Sequence, residues 1–214
     1  ILEDKHYGLE ASLFYRLREK TDIIERFVKI RNKGDKAVTL KKVSSGEFNL
    51  PSLRPYTSTN FNGSWGAEFY KEDTVVKNGI LTYESKKGGS NHTNNPLFIL
   101  SQNATEDEGD VFFGALAWTG NFKVEISRDF ARRTRAVIGI NDFDFSYTLK
   151  PGEVFDAPSV YCGYTKGFAE MSNQMNAYAV EHILPKGFNK APLPVLYNSW
   201  EATWFDVSSE AQQK

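Results

Sequence analysis

Two groups of carboxylates have the spacing for acid–base chemistry. Asp142 and Asp144 stand two residues apart, which would place both on one face of an extended strand. Glu106, Asp107, Glu108 and Asp110 crowd into one short tract. A working pair needs one carboxyl ionised and the other protonated, and so needs surroundings that separate their acidities. Neither tract supplies such surroundings, and both read as solvated hairpin or loop acids. The histidines are His6, His92 and His182, with no His-x-x-x-His or Cys/His spacing, so no transition-metal site is expected. His182 falls on an apolar helical face and reads as a core residue. Cys162, between Tyr161 and Tyr164, reads as a small buried hydrophobe rather than a nucleophile. Ser64 and Ser199 lack a nucleophile-elbow context. Arg128, Arg132, Arg133 and Arg135 form a basic cluster that reads as solvated surface or a subunit contact.

Composition narrows the class. The chain has 214 residues, with 40% apolar and 14% aromatic residues, enough bulky surface to offset the entropy of ordering. Lys plus Arg total 26 against 27 acids, a net charge of -1, which argues against a nucleic-acid binder. No apolar run is long enough for a membrane helix. A single cysteine cannot form an internal disulfide and fits a reducing, cytoplasmic compartment. No cofactor is implied.

The elements that would position these residues are mostly strands. Leu9, Ala11, Leu13, Tyr15 and Leu17 alternate with polar or exposed-type positions. Residues 22–32 form a second strand, and Asn32-Lys33-Gly34-Asp35 predicts a hairpin turn into residues 37–43, with Gly34 free to take a positive φ. Further strands are expected over 96–102, 111–118, 122–129, 134–140, 142–149 and 154–164. Residues 46–95, rich in Gly, Pro, Asn and Ser, read as long loops. Many short strands predict a large antiparallel β-sandwich.

The period changes at Lys166. Phe168, Met171, Met175, Tyr178, Ala179, His182 and Ile183 have helical spacing through Leu184, ended by Pro185 and Gly187. Ala191-Pro192-Leu193-Pro194 reads as a stiff connector. Residues 195–200 then read as a buried parallel strand with a polar tip, and Asp206 or Ser208 caps a helix running through Lys214. One βα unit needs parallel neighbours. With no initiator Met at Ile1, the chain reads as a segment of a longer protein. The expected domains are a sandwich over 1–165, a linker over 166–193, and the first βα unit of a truncated (β/α)8 barrel over 194–214.

Residues 194–205, Pro-Val-Leu-Tyr-Asn-Ser-Trp-Glu-Ala-Thr-Trp-Phe, resemble the entry into the catalytic barrel of family 36 α-galactosidases. Trp204 stands where that family commonly has Tyr. Gly63-Ser64-Trp65-Gly66-Ala67-Glu68 is similar to a Gly-x-Trp-x-x-Glu element of the family's N-terminal domain, with Ala67 where Arg is common. The resemblance implies a supersandwich-like N-terminal domain, a helical linker and a barrel. It also implies a parent enzyme, a tetramer in many bacterial members, that removes terminal α-galactose from melibiose and raffinose by a retaining mechanism. The family's Asp-Asp-Gly-Trp and Lys-Trp-Asp catalytic elements do not occur in these residues, so no catalytic residue is assigned and the segment is expected to be inactive alone. Trp200, at the mouth-facing end of the first barrel strand, is the leading substrate-binding candidate. Asn198, Glu201 and Trp65 follow. Two other readings stay open: a stand-alone carbohydrate-binding module, and an assembly sandwich without a ligand.

Overall fold

The computed structural model describes residues 1–188 and 192–212. The chain divides into two units, Ile1–Tyr178 and Ala179–Lys214. No described helix is long and apolar enough to cross a membrane.

The first unit is built from strands β1 (Leu2–Asp4), β2 (Leu9–Arg18), β3 (Ile23–Asn32), β4 (Val38–Leu40), β5 (Ser44–Asn49), β6 (Thr57–Ser64), β7 (Ala67–Val75) and β8 (Gly79–Glu84). It continues with β9 (Leu97–Gln102), β10 (Asp110–Leu116), β11 (Phe122–Arg128), β12 (Thr134–Ile140), β13 (Tyr147–Leu149), β14 (Val154–Asp156) and β15 (Val160–Lys166). The largest sheet has nine strands in the order β1-β2-β3-β15-β10-β9-β6-β7, with β14 also on β3. A four-stranded sheet, β5-β12-β11-β8, and a two-stranded sheet, β13-β4, complete the set. Every strand pairing is antiparallel. The mainly β, antiparallel class expected from the alternation is the one observed.

Alternation sorts the side chains into separate cores. Phe98 and Leu100 of β9, Leu116 of β10, and Val160 and Cys162 of β15 turn one way. They meet Phe122, Val124, Ile126, Ala136 and Ile138 of the four-stranded sheet. The intervening residues Ile99, Val111, Phe113 and Tyr161 turn the other way, onto Phe168, Met171, Met175 and Tyr178 of helix α1 (Phe168–Tyr178). A third cluster, with Leu40 and Leu149 over Val28 and Ile30, lies under the small sheet. The central strands are therefore apolar on both faces, because a helix covers what two sheets alone would leave wet.

Helix α1 begins on the acidic tract. The carbonyls of Thr105 and Glu106 accept the N–H groups of Phe168 and Ala169 at 3.0 and 2.9 Å. Residues 105–109 thus cap a helix start, whose N–H groups would otherwise lack partners. The helix continues as a π-helical turn over Ala179–Ile183. His182 is exposed there, contrary to its expected core position, because the wider turn moves it off the apolar stripe.

Several expectations need correction. Residues 46–95 hold most of β5 and all of β6, β7 and β8 rather than long loops. Strand β3 does not turn back into β4, which pairs with β13 instead. The reason is Asn32, fully buried, whose amide donates to the carbonyls of Lys36 and Leu149 and accepts the Gly34 N–H at 2.9 Å. Gly34 is not among the residues with positive φ. The strand expected over 142–149 is reduced to Tyr147–Leu149. Buried Asn141 accepts the Phe143 N–H and donates to the carbonyls of Ser85 and Phe122, which holds the chain in a turn there. Residues 195–199 form no strand. Val195 is 100% exposed, and no described strand pairs with this segment. An extended chain with both edges unpaired has nothing to hold it as a strand. Of the expected connector and final helix, Ala191, Gln213 and Lys214 lie outside the described residues.

Candidate functional site

The β6–β7 hairpin projects as an arm. Only Thr57–Thr59 of β6 pair with β9, so from Asn60 to Tyr70 the two strands of the hairpin pair with each other alone. The register shifts between Asn62 and Ser64, and Ser64 faces Ala67 across a two-residue turn. Trp65 and Gly66 form that turn. Gly66 has φ +73°, which glycine adopts without strain. The Glu68 carboxylate accepts the Gly66 N–H at 3.0 Å. This accounts for the Gly-x-Trp-x-x-Glu spacing as turn chemistry. Phe69, also at positive φ, stacks on Phe61 at 4.9 Å, so the bulge is held by its own rings. The arm is braced at its base, where Asn60 donates to Asn94 Oδ1 at 3.0 Å and Asn95 donates to the Phe61 carbonyl at 2.8 Å.

These contacts leave Trp65 90% exposed at the tip. Beside the tip lies a cleft of about 440 Å³ lined by Asn62, Gly63, Ser64, Ala67, Tyr70, Thr93 and Asn94. Its polar groups are amides and hydroxyls, and no charged side chain lines it. Such a lining suits hydrogen bonds to a neutral polyol, with an aromatic ring nearby to cover apolar C–H surface. Asn62, Tyr70, Thr93 and Asn94 escaped the sequence reading. The Trp65-Gly66 turn between β-branched and aromatic residues on either side was the available signal, masked by the density of Gly and Asn.

In the second unit, Trp200 opens a short helix, α2 (Trp200–Thr203), instead of ending a strand. Asn198 Oδ1 accepts the Trp200 N–H at 3.0 Å, and the Ser199 carbonyl accepts the Thr203 N–H at 2.9 Å. Trp200 packs on Trp204 at 5.2 Å and edge-on to Phe205 at 4.9 Å. Glu201 is exposed. A second short helix, α3 (Ser209–Gln212), has the Ser208 hydroxyl accepting the Ala211 N–H at 3.2 Å. Of the two caps considered, Ser208 is the one used. Asn198 therefore orders the backbone at Trp200, while Trp200 stays 42% exposed.

The carboxylates that drew attention are engaged elsewhere. Asp110 accepts from Tyr164 at 2.6 Å and Lys166 at 2.5 Å, and these donors, Lys166 foremost, hold its pKa below the usual carboxylate range. Asp142 pairs with Lys123, which likewise lowers it, and exposed Asp144 sits in the turn at positive φ. With their pKa values lowered, Asp110 and Asp142 are not kept protonated, so neither can serve as the acid of a pair. Cys162 is buried, its thiol donates to the Ile24 carbonyl at 3.3 Å, and burial pushes it up to about 11. A thiol held protonated is no nucleophile at neutral pH.

Comparison with known proteins agrees with this geometry. Residues 1–150 match the glycosyl hydrolase family 36 N-terminal domain, and residues 154–214 match melibiase. The chain is 34% identical to α-galactosidase AgaA of Geobacillus stearothermophilus, over 98% of this chain and 29% of that enzyme. Crystal structures of substituted variants of AgaA in complex with stachyose and with raffinose superpose with a TM-score of 0.91 at 33% identity, over 97% of this chain and 29% of theirs. The galactosidase domain of the α-galactosidase–sucrose kinase AgaSK superposes with a TM-score of 0.90 at 30% identity, over 97% of this chain and 29% of that chain. The chain spans less than a third of the relatives it matches. An antiparallel sandwich with a Trp-tipped arm, followed by a helix and the residues of a melibiase opening, is thus the N-terminal domain and adjoining segment of glycosyl hydrolase family 36, and this chain belongs to that family.

Proposed function

We propose that these residues are the non-catalytic N-terminal part of an α-galactosidase whose whole chain removes terminal α-linked galactose from oligosaccharides such as melibiose and raffinose. The observation that carries this reading is the order of the two family matches, N-terminal domain over 1–150 and then melibiase over 154–214. Residues 1–165 serve as the sandwich, 166–193 as the linker, and 194–214 as the opening of the catalytic domain. Retaining hydrolysis needs a nucleophilic carboxylate and an acid carboxyl about 5 Å apart. Asp110 and Asp142, each ionised and tied to a lysine, do not meet that need. The chain is therefore inactive by itself.

Trp200 and Trp65 serve as faces for the sugar's C–H groups, with Asn198 and Glu201 as polar neighbours of Trp200. The whole enzyme acts as a homo-oligomer, a tetramer by analogy with the family, and the single thiol suits the cytoplasm. A chromogenic α-galactoside tests the central claim. Turnover by the 214-residue chain above a buffer control overturns it.

The uncharged cleft beside Trp65 favours a second reading, that the sandwich binds sugar without the catalytic domain. Titration with galactose and raffinose separates the two. Saturable binding lost in Trp65→Ala supports the module.

A further inference from the structure

The basic residues around the β11–β12 hairpin have no part in the readings above. Beside them is a surface pocket of about 610 Å³ lined by Ser52, Leu53, Arg54, Pro55, Arg128 and Arg132. Three guanidinium-bearing residues and no carboxylate line it. Arg128 is fixed at two points. Its Nη1 donates to Asn78 Oδ1 at 3.0 Å and its Nη2 to the Leu53 carbonyl at 2.9 Å. Its Nε is buried and has no partner. Both acceptors are neutral, so a positive charge is held in place without compensation.

The nearby acids cannot supply that compensation. Asp129 is occupied by Arg133, which reaches it with its backbone N–H at 2.9 Å, Nε at 2.8 Å and Nη2 at 2.8 Å. Glu47 pairs with Arg135 at 3.4 Å. Arg54 and Arg132 make no ion pair among the described residues. The turns that present them are built. Ser52 Oγ accepts the Arg54 N–H at 3.1 Å, and the Ser52 N–H donates to Tyr56 at 3.0 Å. Arg132 sits at φ +67°, and its N–H donates to the Asp129 carbonyl at 2.9 Å.

We propose that this pocket binds a tetrahedral oxyanion, either inorganic phosphate or the phosphate group of a small phosphorylated sugar. Guanidinium forks match the oxygens of phosphate geometrically, and charge-assisted hydrogen bonds are stronger than neutral ones. Arg128 supplies a fixed point, and Arg54 and Arg132, whose side chains make no ion pair among the described residues, close on the anion from the two turns.

Calorimetric titration of the 214-residue chain with potassium phosphate, against potassium chloride of matched ionic strength, tests the proposal. Saturable binding is expected with phosphate and none with chloride. The double variant R54S/R132N is expected to weaken it at least about tenfold. The variant K5S/K36S removes the same charge at exposed lysines that do not line the pocket, and should bind as the parent does. Circular dichroism checks that each variant folds. If the double variant does not, Arg54→Gln alone carries the test. Equal affinity in R54S/R132N overturns the site, as does equal loss in both double variants or heat that chloride reproduces. A parallel titration with a hexose 6-phosphate distinguishes the sources. Tighter binding than phosphate assigns a phosphorylated sugar, and equal binding assigns the phosphate group alone.

Discussion

Trp65 and Trp200 are both exposed rings in Gly- or Asn-marked segments, yet they are held in different ways. Trp65 stands on a hairpin whose two strands supply each other's hydrogen bonds, with the turn closed by Glu68 and the base braced by Asn94 and Asn95. Trp200, among the described residues, is held by its own short segment, through Asn198, Trp204 and Phe205. Antiparallel neighbours can be joined by a two-residue turn, so a hairpin carries its own partner. A parallel strand has its partners a whole crossover away. Local sequence is enough to build the first arrangement and insufficient for the second.

Unfolding in urea should widen this contrast most. Phe122→Ala removes a fully buried ring from the main core and is expected to cost about 3–5 kcal/mol. Val195→Ala, at a fully exposed position, should change stability by less than about 0.5 kcal/mol. Equal effects would mean that residues 195–199 are packed after all. Hydrogen exchange offers the same comparison without mutation. Amides of β10 and β15 should be strongly protected, while those of 195–199 exchange freely. In a longer chain carrying the rest of the catalytic domain, protection of 195–199 should rise.

Gly66→Val forces a β-branched residue into the left-handed region and is expected to cost about 1–2 kcal/mol in the same urea assay. Trp65→Ala, at the neighbouring position of the same turn, should leave stability nearly unchanged while weakening galactoside binding. A loss of stability with no loss of binding would make Trp65 structural. The smallest expected effect is electrostatic. The acidity of Asp110 is increased by Lys166, so the contribution of this pair is present above the ordinary carboxylate range, about pH 4, and fades as the pH falls through it. Lys166 is raised by the same contact, so the contribution also fades at strongly alkaline pH. The stability difference between the parent and Asp110→Asn should be flat at neutral pH and shrink on acidification. A difference that grows on acidification would contradict the pairing.

The legible parts of this fold share one property. Strands β2, β9, β10, β11 and β12 appear where the sequence places them, from alternation in β2 and β11 and from apolar or β-branched runs bounded by turn residues in β9, β10 and β12. In 57–75 the strands exist, but β6 buries polar residues (Ser58, Thr59, Asn60) and β7 is mostly exposed, so there is little alternation of polarity to read, and Gly63, Gly66 and the asparagines suggested loops. In 142–149 the alternation misled, because buried Asn141 uses its amide to turn the chain before a strand can start. The turn that presents Trp65 was legible, because the Gly-x-Trp-x-x-Glu spacing is local. Its cleft was not, since Thr93 and Asn94 reach the arm from a loop some thirty residues away in sequence.

Sequence alone determined the antiparallel class, the helical stripe from Phe168 to Tyr178, and the kinship to family 36, because periodicity and local motifs are carried by neighbouring residues. Tertiary structure alone decided that the central sheet has a core on each face, that the acidic tract caps a helix, and that Arg128 keeps an uncompensated charge. Each of these depends on which distant group lies opposite a residue, and the strand order β3-β15-β10 joins residues far apart in the chain, such as Ile24 with Cys162 and Asp110 with Lys166.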